Sequence, residues 1–182
     1  MKRRTLDLLL TVLGAVLSVG LLATGSLLMW GHSFASSTVH NQLAAQKIYF
    51  PAKGSSALAP LDIGTYLNQY AGQQMLNGAQ AEAYADHFIA VHLAEIGGGL
   101  TYSQLSQKAM ADPSNTKLAA QVDTVFRGDT LRSMLLDAYA FWTFGQIAWW
   151  SAWAAYLGAL VMIVLTLFGW RHYRRVDDSV TL

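Results

Sequence analysis

The sequence predicts an all-α membrane protein in which two transmembrane helices flank a helical extracytoplasmic domain, with the last helix of that domain running on into the second span. Three observations carry this. Two uncharged apolar runs of bilayer length stand near the two ends of the chain, basic residues lie just beyond each run, and the stretch between them shows helical rather than alternating apolar spacing. Composition agrees: of 182 residues, 53% are hydrophobic and 13% charged, with a mean hydropathy of +0.30, which excludes a disordered or acidic-tail protein. Twelve Lys and Arg against eleven Asp and Glu leave a formal charge of +1, so no global basic excess calls for nucleic acid as a partner. The absence of cysteine removes disulfides, thiolate nucleophiles, Fe–S clusters and Cys-ligated zinc together.

Residues 1–7 carry Lys2, Arg3 and Arg4 and form the expected cytoplasmic N-terminus. The first span is 8–30 (LLLTVLGAVLSVGLLATGSLLMW), with no ionisable group. At about 1.5 Å per residue it reaches roughly 34 Å, enough for a hydrocarbon core of about 30 Å. A cleaved signal peptide is the rival reading, but the run exceeds the usual apolar region of about 7 to 15 residues, so an uncleaved anchor is expected.

Between the spans, 31–147 reads as one helical domain outside the membrane. A helix is expected over 37–48, stopping before Pro51, followed by a loop over 51–60. A second runs over 78–96, with Ala85, Phe88, Ile89, Leu93 and Ile96 on its apolar face and Glu82 and Asp86 opposite, and ends at Gly97, Gly98 and Gly99. Thr101 and Gln104 form a capping-box pattern for a helix reaching Ala111. After a turn at 112–114, another helix ends near Gly128, and a stripe from Leu131 to Trp142 leads into the second span.

That span is 148–170, again uncharged, with Trp149, Trp150 and Trp153 at one end and Trp170 at the other. With Trp30 they are expected as membrane-interface anchors. Residues 171–182, with Arg171, Arg174 and Arg175, form the cytoplasmic C-terminus. Lys and Arg near the span ends set orientation, which places both termini in the cytoplasm and 31–147 outside a plasma membrane. Small residues at packing intervals, Gly14, Ser18 and Gly25 on the first span and Ala154 with Gly158 and Ala155 with Ala159 on the second, are the candidate contact positions, toward each other or toward another chain.

The sharpest candidate for chemistry is the segment holding His87, His92 and Glu95, whose residue types imitate a facial metal triad. At about 100° per residue the two histidines lie about 140° apart around a helix, so one ion does not reach both. His92 and Glu95 at i and i+3 remain compatible, against the simpler reading of His92 as a hydrogen-bonded core residue. No metal, cofactor or catalytic residue is therefore assigned. Neither span carries a charge for a proton relay, and His32 and His172 at opposite membrane faces do not pair on one haem.

The motifs at 34–51 (FASSTVHNQLAAQKIYFP) and 70–93 (YAGQQMLNGAQAEAYADHFIAVHL), with the long C-terminal helix, resemble a family of actinobacterial two-pass membrane proteins over nearly the whole chain. Some members carry the label of aromatic ring-opening dioxygenase. The resemblance implies an envelope location and transfers no catalytic residue, since a non-haem dioxygenase needs a metal site and the histidine segment does not offer one face to an ion. The expected function is that of a non-enzymatic, membrane-anchored interaction protein: an accessory subunit, assembly factor or scaffold whose partners are the bilayer and another membrane protein or a second copy. The alternatives are an extracytoplasmic ligand or metal sensor acting through a membrane partner, since little chain is left for a cytoplasmic output, and an envelope metalloenzyme.

Overall fold

The computed structural model describes residues 3–175; Lys2 and the tail at 176–182, both part of the expected cytoplasmic flanks, lie outside the described residues. Six α-helices follow in order: α1 (Arg3–Gln46), α2 (Leu61–Leu67), α3 (Gly78–Tyr84), α4 (Ala90–Gly97), α5 (Tyr102–Ala111) and α6 (Thr116–Tyr173). A π-turn (Ala85–Ile89) joins α3 to α4, and 3₁₀ turns occupy Ser56–Leu58 and Asn68–Tyr70. Among the described residues the only extended pairing is an isolated antiparallel bridge between Tyr49 and Gln74. Two of these helices, α1 and α6, are long and apolar enough to cross a membrane.

Both long helices run further than the sequence suggests. The first span and the helix expected at 37–48 are one unbroken α1, because no proline occurs before Pro51 to interrupt the backbone ladder. It stops at Lys47, which takes a left-handed φ of 53°. Gly128 does not end a helix but lies inside α6. A Cβ there would collide with the Leu93 side chain, so the glycine serves close approach rather than termination. Asn115 opens α6 by accepting a hydrogen bond from the Leu118 N–H at 3.0 Å.

The chain divides into two compact units, Ala35–Thr143 and the described parts of Met1–Phe34 with Phe144–Leu182. The core of the first gathers Val39 and Leu43 of α1, Phe50, Ile63 and Leu67 of α2, Met75, Ala81, Ala85, Ile89 and Leu135 of α6. Gln73, Met75 and Phe50 close the loops over it through backbone bonds from Phe50 to Gln73 and from Met75 to Ile48, each 2.9 Å. At Gly78 a Cβ would stand 2.5 Å from that of Trp142, so α3 starts where only glycine fits against α6. Gly98 ends α4 at φ 59°, and the Gly99 N–H returns to the Ala94 carbonyl at 2.8 Å. Thr101 and Gln104 form the reciprocal capping box of α5.

The second unit is a pair of helical segments in contact. On α1 the less exposed positions include Thr11, Gly14, Ser18, Leu21, Gly25 and Leu28; on α6 they include Ala152, Ala155, Tyr156, Gly158, Ala159, Met162, Ile163, Thr166 and Gly169. The α1 positions alternate steps of three and four, the 3.5-residue spacing of a left-handed helix pair, and the α6 face is broader. The large apolar side chains, Leu9, Val16, Val19 and Leu27 on α1 and Leu157, Val164 and Leu167 on α6, point away from the seam and are exposed. Only 17% of each apolar stretch is buried, a small-inside, large-outside arrangement opposite to that of a helix in a water-soluble core.

Candidate functional site

In the Ala35–Thr143 unit, the histidine segment is shaped by its N-cap and by the π-turn. The Asn77 side chain accepts from the Gln80 N–H at 3.0 Å. Buried Gln80 in turn accepts from the Leu76 N–H at 2.7 Å and donates to Gln73 Oε1 at 3.1 Å. Five residues later the π-turn inserts an extra residue, and the faces expected of a regular helix over 78–96 rotate past it. Two expectations change as a result. Ile96, placed on the apolar face, is 37% exposed. Asp86, placed on the solvent face, is half-buried and meets Arg132 of α6 at 2.6 Å. The Nε of Arg132 is buried without a hydrogen-bond partner among the described residues.

The same turn separates the two histidines. His87 lies flat on Tyr66 of α2, with ring centroids 3.4 Å apart and planes within 2°. His92 donates from Nδ1 to the Phe88 carbonyl at 2.7 Å, which leaves Nε2 as its acceptor, and its ring rests on Phe88 at 4.4 Å. Glu95 is exposed and borders a shallow cavity with Asp62 and Ala94. Among the described residues, no three His, Asp or Glu side chains gather as a metal-ligand set, so His87, His92 and Glu95 have separate neighbours. Tyr84 packs edge-on against Phe50 at 5.5 Å, and burial pushes its phenol above the ordinary value of 10.0.

A further concave feature of this unit is a groove of about 450 Å³ between α1 and α6. Its apolar floor is Val39, Leu43 and Ala138, and Met134, 63% exposed, stands on one wall with Phe141. Gln42, Gln46 and Asp137 form the polar rim. No sequence motif marks this groove, because its two sides come from helices about 95 residues apart in the chain and each side repeats an ordinary helical spacing.

In the other unit, the candidate packing residues divide. A Cβ at Gly14 would lie 2.5 Å from Thr166 Oγ1, and one at Gly25 would lie 2.7 Å from the Tyr156 ring. Ser18 is buried and donates to the Gly14 carbonyl at 2.8 Å, which satisfies its hydroxyl inside the seam. On α6 buried Ala152 and Ala159 and half-buried Ala155 and Gly158 lie on the seam side, a Cβ at Gly158 standing 3.5 Å from Leu21, while Ala154 is exposed. Ala154 therefore faces away from α1. The expected anchors form two aromatic groups. Trp149 meets both Trp150 and Trp153 edge-on, Trp30 is stacked on Phe34, and Trp170 lies beside Tyr173.

No protein-family profile, curated protein or solved structure matches this chain. What its surfaces can do follows from their own chemistry. The segment with His87, His92 and Glu95 is tied down by stacking and by a backbone hydrogen bond. The α1–α6 groove offers an apolar floor with a polar rim, and the paired apolar segments offer a continuous apolar exterior.

Proposed function

We propose that this chain is a two-span plasma-membrane protein that works without catalysis, as an accessory subunit, assembly factor or scaffold whose extracytoplasmic domain docks another membrane protein or a second copy. In this reading both termini are cytoplasmic, 31–147 is outside, and the likeness to actinobacterial two-pass envelope proteins is one of family. The exposed large side chains around the α1–α6 pair fit lipid tails, since close helix contact in a bilayer uses small residues and leaves the large ones outward. Trp149 and Trp170 are 21 residues apart on α6, about 31 Å, which matches the two interfaces of a bilayer.

The observation that carries the docking role is the groove between α1 and α6, with exposed Met134 over an apolar floor and Gln42, Gln46 and Asp137 on its rim. Adaptable methionine within a polar rim suits a protein contact. The test is gentle solubilisation of the tagged full chain, followed by native mass and composition of the particle, with Met134→Arg alongside. A stoichiometric second subunit is expected, released by the variant while its helicity is kept. A monomeric particle in all mild detergents would overturn the reading.

A further inference from the structure

We infer that the arginine-bearing end of the helix pair is a binding site for one anionic phospholipid, its phosphodiester held by Arg171, Arg174 and Arg175 and one acyl chain laid in the adjoining apolar groove. The inference rests on the proposed membrane location and adds a ligand to it. Two cavities carry it. The first, about 480 Å³, has Leu167, Phe168 and Trp170 on its apolar side and the three arginines on the other. The second, about 350 Å³, is lined by Thr11, Val12, Ala15, Thr166, Leu167 and Trp170. Leu167 and Trp170 border both, so a cationic pocket and an almost wholly apolar one are neighbours on the helix pair. That sequence of chemistries matches a phosphate followed by a hydrocarbon tail.

The cationic pocket is ordered by its own contacts. The Arg174 guanidinium stands over the Trp170 ring at 5.4 Å, and a planar fork held on an indole face keeps its outer N–H groups for a phosphate oxygen. Across the same end Arg4 covers the Tyr173 ring at 5.0 Å, and Asp7 Oδ2, buried without a hydrogen-bond partner among the described residues, lies 3.7 Å from His172 Nε2. In sequence, six Lys and Arg flank the two spans here, against three carboxylates, Asp7, Asp177 and Asp178. Arginines beside a span orient any membrane helix and complement the carbonyl end of α6. The neighbouring apolar pocket is what a mere orientation signal does not require.

The experiment uses the purified full chain in nanodiscs that contain phosphatidylglycerol and phosphatidylcholine of matched acyl chains, released for native mass spectrometry. The wild-type chain is expected to retain phosphatidylglycerol over phosphatidylcholine by about tenfold, because both carry the phosphodiester and only phosphatidylcholine brings a cation that repels the arginines. Arg171→Gln, Arg174→Gln and Arg175→Gln together are expected to bring that ratio to parity. A chain that inserts and shows no preference overturns the inference and leaves the membrane location standing. A chain that remains soluble outside the nanodisc overturns both. Release of the bound lipid by glycerol phosphate would mean a headgroup site without the acyl groove, and an unchanged preference in the triple variant would place the lipid elsewhere; either overturns the assignment.

Discussion

Tyr84 shows what a single side chain contributes in this fold. Its phenol is enclosed by Phe50, stacked on Phe88 at 4.8 Å, and raised by burial above 10.0. Because the folded state holds that proton more tightly than the unfolded chain does, its contribution to stability is complete below pH 10.0 and is lost as pH rises from there through the folded value. Alkaline unfolding followed by circular dichroism should therefore steepen above pH 10, and Tyr84→Phe should flatten that limb. A variant with the same alkaline slope as the wild type would remove the argument. Asp86 teaches the complementary lesson. Its sequence neighbours place it with Glu82 on a solvent face, yet the π-turn brings it to Arg132, 46 residues away in the chain.

Among the elements, α1 and α6 were the most legible and their contact was the least. A long uncharged run declares itself through composition alone, and so do the capping box of α5 and the glycine stop of α4. The contact face does not, because α6 carries Ala152, Ala154, Ala155, Gly158 and Ala159 in succession and small residues are present on several faces at once. Pairing buries Ala152 and Ala159, half-buries Ala155 and Gly158 and leaves Ala154 exposed, opposite Thr11, Gly14, Ser18 and Gly25 of α1. The two helices then differ in tolerance. Gly25→Ala would drive a methyl group into the Tyr156 ring, 2.7 Å away, and should cost about 1–3 kcal/mol. Gly158→Ala meets Leu21 at 3.5 Å, an ordinary contact, and should be neutral or stabilise by up to about 1 kcal/mol through helix propensity. Unfolding of both variants in mixed micelles, followed by tryptophan fluorescence, checks the order; equal effects would contradict the seam.

At the scale of the whole molecule the proposed orientation is directly measurable, since a cysteine-free chain accepts single cysteine reporters without background. Lys53→Cys and Thr5→Cys replace exposed side chains in the two regions assigned to opposite sides. In intact cells an impermeant maleimide should label the Lys53 position, and the Thr5 position only after permeabilisation. Labelling of both in intact cells, or of neither, would sink the topology. The helical class, the two apolar helices and several caps and stops were legible in the sequence, because each depends on local composition and on spacing within a turn or two. The tertiary structure alone decided that Gly128 is a contact rather than an end, that Asp86 meets Arg132, which small residues form the seam, and that a groove opens between α1 and α6. Each of those depends on which side chains distant in the chain come to share the same space, and that pairing energy is not written in any one segment.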